Sequence, residues 1–166
     1  MFETERLILR PFTMDDVEAS YQMNLEADVS RYTMDGGVVS REEIARRIRD
    51  HVLADYAKHG YGRLAVIHKH SSCFIGFSGL KYLEDEKEVD LGYRLLPDYW
   101  GKGLATESCQ PLIPWGFQQL GLSRIIAEAH RDNVASIRVM EKLGFRFDSE
   151  SVLDGEPIVR YVIYSN

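Results

Sequence analysis

The segment that says most about the fold is YWGKGLAT, at residues 99–106. Its two glycines allow a tight turn and let the backbone approach a ligand closely. A helix is predicted to open within the segment, and the first amides of a helix are free donors at the positive end of its dipole. Lys102 adds a mobile positive charge. The segment therefore predicts a turn, between a strand and a helix, that can cradle a diphosphate.

Three interpretations of this turn compete. A phosphate-binding P-loop requires Gly-x-x-x-x-Gly-Lys-Ser/Thr, which the segment does not match. A dinucleotide fingerprint requires a third glycine at the position of Thr106. A strand-to-helix turn without any ligand explains the glycines equally well, because short glycine patterns often occur by chance. The turn alone therefore leaves its ligand open.

A strand is predicted before the turn and a helix after it. The apolar run 89–96 is stopped by Pro97, and the helix continues until Gly121 ends it. Pro111 and Pro114 fall inside this helix, where each removes an amide donor and clashes with the preceding turn. We therefore expect a kink or a break near the two prolines.

Short apolar runs and amphipathic stretches alternate through the rest of the chain. Helix starts are predicted at Thr13, in a Thr-x-x-Asp signal, and at Ser40, in a Ser-x-x-Glu capping box. The stretch 30–39, which contains Asp35-Gly36-Gly37, is predicted to be a loop. Further strands are predicted near 7–9, 64–67, 73–80, 125–129, 145–147 and 158–164, with a last helix at 134–143. This order predicts one α/β domain over residues 1–166 with a mixed sheet.

Composition and charge exclude several classes of function. The chain has 166 residues and a formal net charge of −6. An acidic protein is a poor partner for nucleic acid, because phosphate binding needs clustered Lys and Arg. No apolar run approaches the ~20 residues that span a bilayer, and the N-terminus is acidic where a signal peptide would be basic. Cys73 and Cys109 do not imply a disulfide. We expect a cytoplasmic protein with no nucleic-acid or membrane partner.

Several motifs follow one another along most of the chain. They are Leu96-Pro97-x-x-Trp100-Gly101-x-Gly103-x-Ala105-Thr106-Glu107, Asn133-x-x-Ser136 and Glu141-Lys142-Leu143-Gly144-Phe145. In this order they resemble the GNAT superfamily of N-acetyltransferases. Thr4-Glu5-Arg6-Leu7-x-Leu9-Arg10-Pro11 and Ile75-Gly76-Phe77 resemble its RimJ/RimL-like branch, the ribosomal-protein alanine acetyltransferases. The resemblance implies a mostly antiparallel mixed sheet of about seven strands flanked by about four helices.

The resemblance also implies that acetyl-coenzyme A is the acetyl donor and that no metal is needed. In the family, backbone amides matching 101–106 bind the diphosphate, and the pantetheine arm pairs along the strand matching 93–96. The implied cofactor-binding residues are Leu95, Leu96, Trp100, Gly101, Lys102, Gly103, Leu104, Ala105, Thr106, Asn133 and Ser136. Trp100 replaces the Arg or Gln of many members, and its side chain is expected to pack rather than bind phosphate. Amides near Leu95 are implied as the oxyanion site.

Acetyl transfer to an amine needs a base, and two carboxylates are candidates. Glu128 precedes Asn133 by five residues and matches a proposed base in related N-terminal acetyltransferases. Asp90 lies on the strand beside the cofactor and matches an acidic position in other members. Either side chain can instead be a solvated or ion-paired strand residue, and a water chain is a third route for the proton.

The departing thiolate also needs a partner. The usual acid of the superfamily is a Tyr on the helix after Asn133, but that position is Met140 here, which has no proton to give. Ser136 matches a Ser proposed to assist the thiolate in the RimL-like branch. The alternative is a Ser in the first turn of a helix that hydrogen-bonds to the backbone.

The acceptor that the resemblance favours is the α-amine of a protein or peptide N-terminus. Its pKa lies near ~7.7–8.0, against ~10.4 for a lysine amine, so a general base removes its proton more easily. Two alternatives remain open: a small amine such as a polyamine, an amino acid or an antibiotic, or a coenzyme A-binding module without catalysis, for which Met140 is the argument. The loop 30–39 is the predicted mouth for the acceptor, and the final strands are a candidate surface for a homodimer.

Two further signals carry less weight. His68-x-His70 places two imidazoles on one strand face, but no third ligand is evident. Cys109 falls on a predicted core stripe, whereas a nucleophilic cysteine needs an electropositive setting. We therefore expect neither a metal site nor a cysteine nucleophile.

Overall fold

The computed structural model describes residues 1–32 and 37–166, in which eight strands form one sheet. The strands are β1 (Phe2–Glu3), β2 (Leu7–Pro11), β3 (Arg63–His68), β4 (Cys73–Leu83), β5 (Glu88–Leu95), β6 (Arg124–His130), β7 (Arg146–Leu153) and β8 (Glu156–Tyr164). Their order is β1-β2-β3-β4-β5-β6-β8-β7. The predicted mixed, mostly antiparallel sheet is confirmed. It has one strand more than predicted, because β1 has only two residues and too few to show an alternating pattern.

Short helical segments occupy both faces of the sheet. They are α1 (Val17–Leu25), α2 (Ala27–Ser30), α3 (Arg41–Arg47), α4 (Ala54–His59), α5 (Leu104–Cys109), α6 (Leu112–Gln118) and α7 (Val134–Lys142). A π-helical stretch, Ile48–Leu53, joins α3 directly to α4. Most of the segments follow the predicted helical regions, but α2 was not predicted, and the regions are subdivided more finely than the sequence indicates.

The predicted helix starts are confirmed, one completely and one in part. Thr13 and Asp16 form a reciprocal capping box at the 3-10 turn that leads into α1. The Ser40 hydroxyl accepts a hydrogen bond from the Glu43 amide at the start of α3. The Glu43 carboxylate is bound to Arg46 and to the neighbouring arginine, so it stabilises the helix through side-chain pairs one turn away.

The proline break lies at Pro111 and not at Pro114. Helix α5 ends at Cys109, and α6 begins at Leu112, directly after Pro111. Pro114 lies in the first turn of α6, where amides have no intrahelical partner, so its missing donor costs nothing. The two short helices are thus one predicted helix divided by the first of its two prolines.

Successive apolar side chains of a strand point to opposite faces of the sheet and so contribute to two apolar cores. Leu64 and Val66 of β3 belong to the larger core, with residues of α5, α6 and α7, while Ala65 between them packs with Ile44 and Ile48 on the other face. The sheet is therefore covered by α5–α7 on one side and by the region of α1 and α3 on the other.

The sheet has a seam between β5 and β6. These parallel strands share a single register pair, Asp90 with Ile126, whereas each antiparallel neighbour of theirs pairs along most of its length. Beyond that pair, the C-terminal halves of β5 and β6 face each other without forming a ladder. This separation opens the sheet in its middle.

At the far edge of the sheet, every residue of β7 is exposed. The predicted homodimer through the final strands stays a prediction, which this free edge would suit. Within residues 1–32 and 37–166, every helix is too short or too polar to span a bilayer.

Candidate functional site

A cleft of about 720 Å³ lies where β5 and β6 separate. Its walls are the C-terminal halves of both strands, the turn 100–106 and one face of α7. A smaller cavity of about 280 Å³ adjoins it. Four side chains, those of Tyr93, Arg94, Glu128 and Ser136, belong to residues that line both spaces. The two cavities therefore meet at the seam in the sheet.

Most of the predicted site residues lie on this cleft. Those that line it are Leu95, Trp100, Gly101, Gly103, Leu104, Ala105, Thr106, Glu128, Asn133 and Ser136. Asp90 lines only the smaller cavity. Leu96 and Lys102 line neither. The Leu96 amide donates to the Ile75 carbonyl at 2.8 Å, and the Lys102 ammonium donates to the Asp98 carbonyl at 2.7 Å. Of the thirteen predicted site residues, ten line the cleft, Asp90 lines the smaller cavity alone, and two lie outside both.

The glycine turn has the geometry of an anion-binding nest. Gly101 and Gly103 are exposed and have φ angles of +70° and +77°, which lie in the left-handed region that favours glycine. Helix α5 follows Gly103 directly, so its first amides have no intrahelical acceptor. No atom lies within 4 Å of a Cβ built at Gly101. The turn is therefore open to solvent and fits a bound diphosphate.

Glu107 ties this turn to the beginning of the chain. Its carboxylate accepts hydrogen bonds from the Thr4 hydroxyl at 2.6 Å, the Arg6 amide at 2.8 Å and the Arg6 side chain at 2.7 Å. Partial burial alone would raise the pKa of Glu107, but the bonds from Thr4 and Arg6 outweigh it and the net pKa is lowered. The Thr-Glu-Arg opening of the sequence therefore holds α5 in place.

Trp100 bonds to the strand beside it. Its indole nitrogen donates to the Leu95 carbonyl at 2.7 Å, and 48% of the residue is exposed. The Leu95 carbonyl thus already accepts one hydrogen bond. A ligand that lies along β5 shares this carbonyl with Trp100 or uses neighbouring backbone groups. The pantetheine arrangement that the family resemblance implies stays a prediction.

The start of α7 contributes Asn133 and Ser136. Asn133 caps the helix by accepting a hydrogen bond from the Ser136 amide at 3.2 Å. The Ser136 hydroxyl lies 2.7 Å from the Tyr93 hydroxyl, which also lies 2.9 Å from the Ser136 carbonyl. Met140, one turn later, is only 1% exposed and belongs to the apolar core. Sequence reasoning did not connect Tyr93 with Ser136, because they lie 43 positions apart.

The two candidate bases are both held by arginines. Arg160 of β8 donates to Glu128 from Nε at 2.8 Å and from a terminal nitrogen at 2.6 Å. The same guanidinium bonds to Glu86. Asp90 is paired with Arg63 of β3. The side chains of Glu128 and Asp90 are 26% and 14% exposed, so Glu128 is the more accessible of the two.

Arg63 reaches Asp90 because two glycines clear its path. Arg63 is in register with Gly79, and Gly79 is in register with Gly92. A Cβ at Gly92 would overlap the Arg63 guanidinium. The sequence gives one clue to this arrangement, since an isolated glycine inside a strand often marks a close approach. The pairing itself crosses three strands and was missed.

His130, at the end of β6, is another residue that sequence reasoning missed. Its Nδ1 accepts from the Asp132 amide at 3.0 Å, which leaves the proton on Nε2 to donate to Glu156 at 2.9 Å. The ring of Tyr32 lies 5.3 Å from the imidazole. Both nitrogens of His130 are thus used in holding the cleft wall.

The signals given less weight fall outside the cleft. His68 lies 3.1 Å from the Ser71 hydroxyl, with the His70 ring 6.3 Å away. Cys73 is exposed, Cys109 is buried and both are free. Burial raises the pKa of the Cys109 thiol to about 11, so it is protonated at neutral pH. The predicted acceptor mouth includes residues 33–36, which lie outside the described part of the chain.

Comparison with known proteins agrees with this geometry. Residues 6–146 match the family described as acetyltransferase (GNAT) domain. YnaD of Bacillus subtilis, an uncharacterized N-acetyltransferase, is 32% identical over 143 residues, 86% of this chain and 81% of its own. YoaA of the same organism, also an uncharacterized N-acetyltransferase, is 31% identical over 167 residues, 100% of this chain and 89% of its own.

A solved GNAT-family acetyltransferase from Bacillus anthracis superimposes with a TM-score of 0.83 at 27% identity, covering 98% of this chain and 96% of that one. The two chains therefore share the same overall fold. The family match extends over most of the chain, from the opening motif to the start of β7. The chain belongs to the GNAT family of acetyltransferases, enzymes whose acetyl donor is acetyl-coenzyme A.

Proposed function

We propose that this acetyltransferase transfers the acetyl group to the α-amine of a protein or peptide N-terminus. The observation that carries the proposal is the placement of Glu128, where the cleft and the smaller cavity meet. Both hydrogen bonds from Arg160 fall on Oε1 of Glu128. Within the described residues, Oε2 has no hydrogen-bond partner, so one oxygen is anchored and the other is free to accept a proton.

A base in this setting suits a weakly basic amine. An α-ammonium group of pKa ~7.7–8.0 gives up its proton more readily than an alkylammonium group of pKa ~10.4, so it demands less of a general base. An α-amine is also substantially neutral near pH 7.5. This lower demand on the base supports an N-terminal substrate over a polyamine.

The donor is proposed to lie along the seam. Its diphosphate is held by the amides of 101–106, its pantetheine arm follows the end of β5, and Asn133 contacts the arm from α7. A solved ribosomal L7/L12 α-N-protein acetyltransferase, RimL, in complex with coenzyme A has a TM-score of 0.82 at 20% identity. At that identity the likeness shows the fold, and its printed acceptor supports the N-terminal proposal by analogy.

The proposed chemistry assigns separate tasks to Glu128 and Ser136. Glu128 takes a proton from the amine, the amine nitrogen forms a bond to the acetyl carbon, and the carbon–sulfur bond breaks with its electron pair remaining on sulfur. The Ser136 hydroxyl donates a hydrogen bond to the departing thiolate. Asp90 is the second candidate base, reached from the smaller cavity.

An acceptor panel tests the proposal. The protein is mixed with acetyl-coenzyme A and one amine at a time, and the free thiol is followed. We expect release with Ala- or Ser-initiated peptides and little with spermidine, an amino acid or an aminoglycoside. Escherichia coli spermidine N(1)-acetyltransferase is 26% identical over 146 residues, so release with spermidine alone would replace the proposed acceptor by a polyamine. Donor binding with no release across the panel would mark a module without catalysis.

Two isosteric changes separate the candidate bases. Glu128→Gln keeps an oxygen for Arg160 but cannot take a proton, and kcat should fall by about 100-fold. Asp90→Asn keeps an oxygen for Arg63 in the same way, and kcat should change by less than about fivefold. Steady-state kinetics with the best peptide decide between them. The reverse ranking would assign the base to Asp90, and equal small effects would favour a water chain.

A further inference from the structure

The Tyr93 hydroxyl lies at a junction that the proposed chemistry does not yet use. Tyr93 lines both the cleft and the smaller cavity, as does Ser136. The two hydroxyl oxygens are 2.7 Å apart, which is a normal length for an O–H···O hydrogen bond. The Tyr93 hydroxyl has a second acceptor in the Ser136 carbonyl, at 2.9 Å. A phenol buried against the core therefore has both of its bonds to one residue at the beginning of α7.

The two bonds allow two arrangements of hydrogens. When Tyr93 donates to the Ser136 carbonyl, the Ser136 hydroxyl points its own hydrogen at the phenol oxygen. When Tyr93 donates to the Ser136 hydroxyl oxygen, the hydrogen of Ser136 is turned away from Tyr93 and can be donated into the cleft. A negative charge in the cleft favours the second arrangement.

We propose that Tyr93 is a positioning residue for Ser136, which turns the Ser136 hydrogen towards the sulfur of the departing coenzyme A. The inference rests on the proposed function. The bonds form a chain from the Tyr93 hydroxyl to the Ser136 hydroxyl to the thiolate. The carbon–sulfur electron pair stays on sulfur, neither hydroxyl loses its proton, and the thiolate takes its proton from solvent after it leaves the cleft.

The surroundings of Tyr93 suit a donor that keeps its proton. Burial raises the pKa of Tyr93 well above its usual range, and the bond with Ser136 only partly opposes this. The phenol is therefore protonated wherever the enzyme is folded at neutral pH. Met140 shares the face of α7 with Ser136, one turn along, but its thioether gives no hydrogen. In this chain the hydrogen-bond donor at this end of α7 is instead the Tyr93 hydroxyl of β5.

The test measures the thiol of bound coenzyme A, so it needs no acceptor. The ultraviolet absorbance of the thiolate is titrated on the protein–coenzyme A complex, against the coenzyme-free protein. A hydrogen bond to the thiolate lowers the thiol pKa. We expect the bound thiol pKa to lie below that of free coenzyme A, and to rise by about one unit in Tyr93→Phe and in Ser136→Ala. The double variant should match Ser136→Ala.

A matched control removes a different buried phenol. The Tyr161 hydroxyl lies 3.5 Å from Glu141, and Tyr161 lines neither cavity. Tyr161→Phe should leave the bound thiol pKa unchanged. With a working acceptor, Tyr93→Phe should lower kcat about tenfold while the KM for acetyl-coenzyme A and the unfolding temperature stay near wild type.

The outcomes separate the inference from the proposed function. A bound thiol pKa equal to or above that of free coenzyme A in the wild type overturns the inference without any variant. It is also overturned if Tyr93→Phe titrates like the wild type, or if its effect adds to that of Ser136→Ala. Failure of every amine in the acceptor panel, with the expected thiol titrations, would reject the proposed function and leave the Tyr93–Ser136 chain supported.

Discussion

Gly101→Asp is expected to weaken the binding of coenzyme A by about 10- to 100-fold, or ~1.4–2.8 kcal/mol. Gly101 has a φ of +70° and an open Cβ position, and Asp tolerates this left-handed conformation better than most residues. The backbone should therefore stay folded. The added carboxylate lies beside the turn, where its negative charge repels a bound diphosphate. Titration calorimetry with coenzyme A measures the loss.

Gly121 offers a closely matched control. It also has a positive φ, +67°, with no atom within 4 Å of a built Cβ, and it is exposed. It follows α6 and does not line the cleft. Gly121→Asp adds the same charge and the same backbone strain, so it should leave the dissociation constant within about twofold. Equal losses in both variants would show that net charge or strain causes the effect, and no loss in either would remove the diphosphate from this turn.

Gly76→Ala is expected to destabilise the fold by about 3–5 kcal/mol. Gly76 lies in β4 with a φ of +147°, at the point where β5 approaches it. A Cβ there would overlap the Arg94 carbonyl oxygen and lie 2.9 Å from the Leu95 Cα. Both of these atoms belong to the backbone of β5, so the strand itself has to move to accommodate the Cβ. Chemical denaturation followed by circular dichroism measures the change in the free energy of unfolding.

A control variant at Gly155 distinguishes the steric clash of an added Cβ from the backbone strain of a positive φ. It lies in the turn between β7 and β8 with a φ of +83°, and no atom is within 4 Å of a built Cβ. Gly155→Ala should cost about 1–2 kcal/mol from the left-handed conformation alone. If Gly76→Ala costs no more than Gly155→Ala, then β4 and β5 have room to separate and the close approach is not rigid.

The elements around the glycine turn could be predicted because their signals are local. Pro97 ends a strand, Pro111 divides a helix, and Gly144 follows α7 with a φ of +93°. Each depends on the conformation of one residue and its nearest neighbours. Pro114 shows the limit of such reasoning. Whether it breaks a helix depends on its distance from the helix start, and Pro111 determines where α6 begins.

The chemical partners could not be predicted, because they come from register. Glu128 and Arg160 were both visible in the sequence, but only the pairing of β6 with β8 sets them opposite each other. Arg63 reaches Asp90 across β4, and Tyr93 reaches Ser136 across the seam. No local pattern encodes a contact between elements that lie tens of residues apart, so the candidate bases could be named from the sequence but their anchoring could not.

The seam gives the sheet a pair of inner borders in addition to its outer ones at β1 and β7. An outer border is a hazard, because its unused backbone groups can recruit another polypeptide and start aggregation. The inner borders carry the same kind of groups, but they face a cleft that is bordered by α7 and the turn 100–106 instead of lying at the rim of the sheet. Unpaired backbone groups that would promote self-association at the rim of the sheet are here available to a narrow ligand that enters the middle of the sheet.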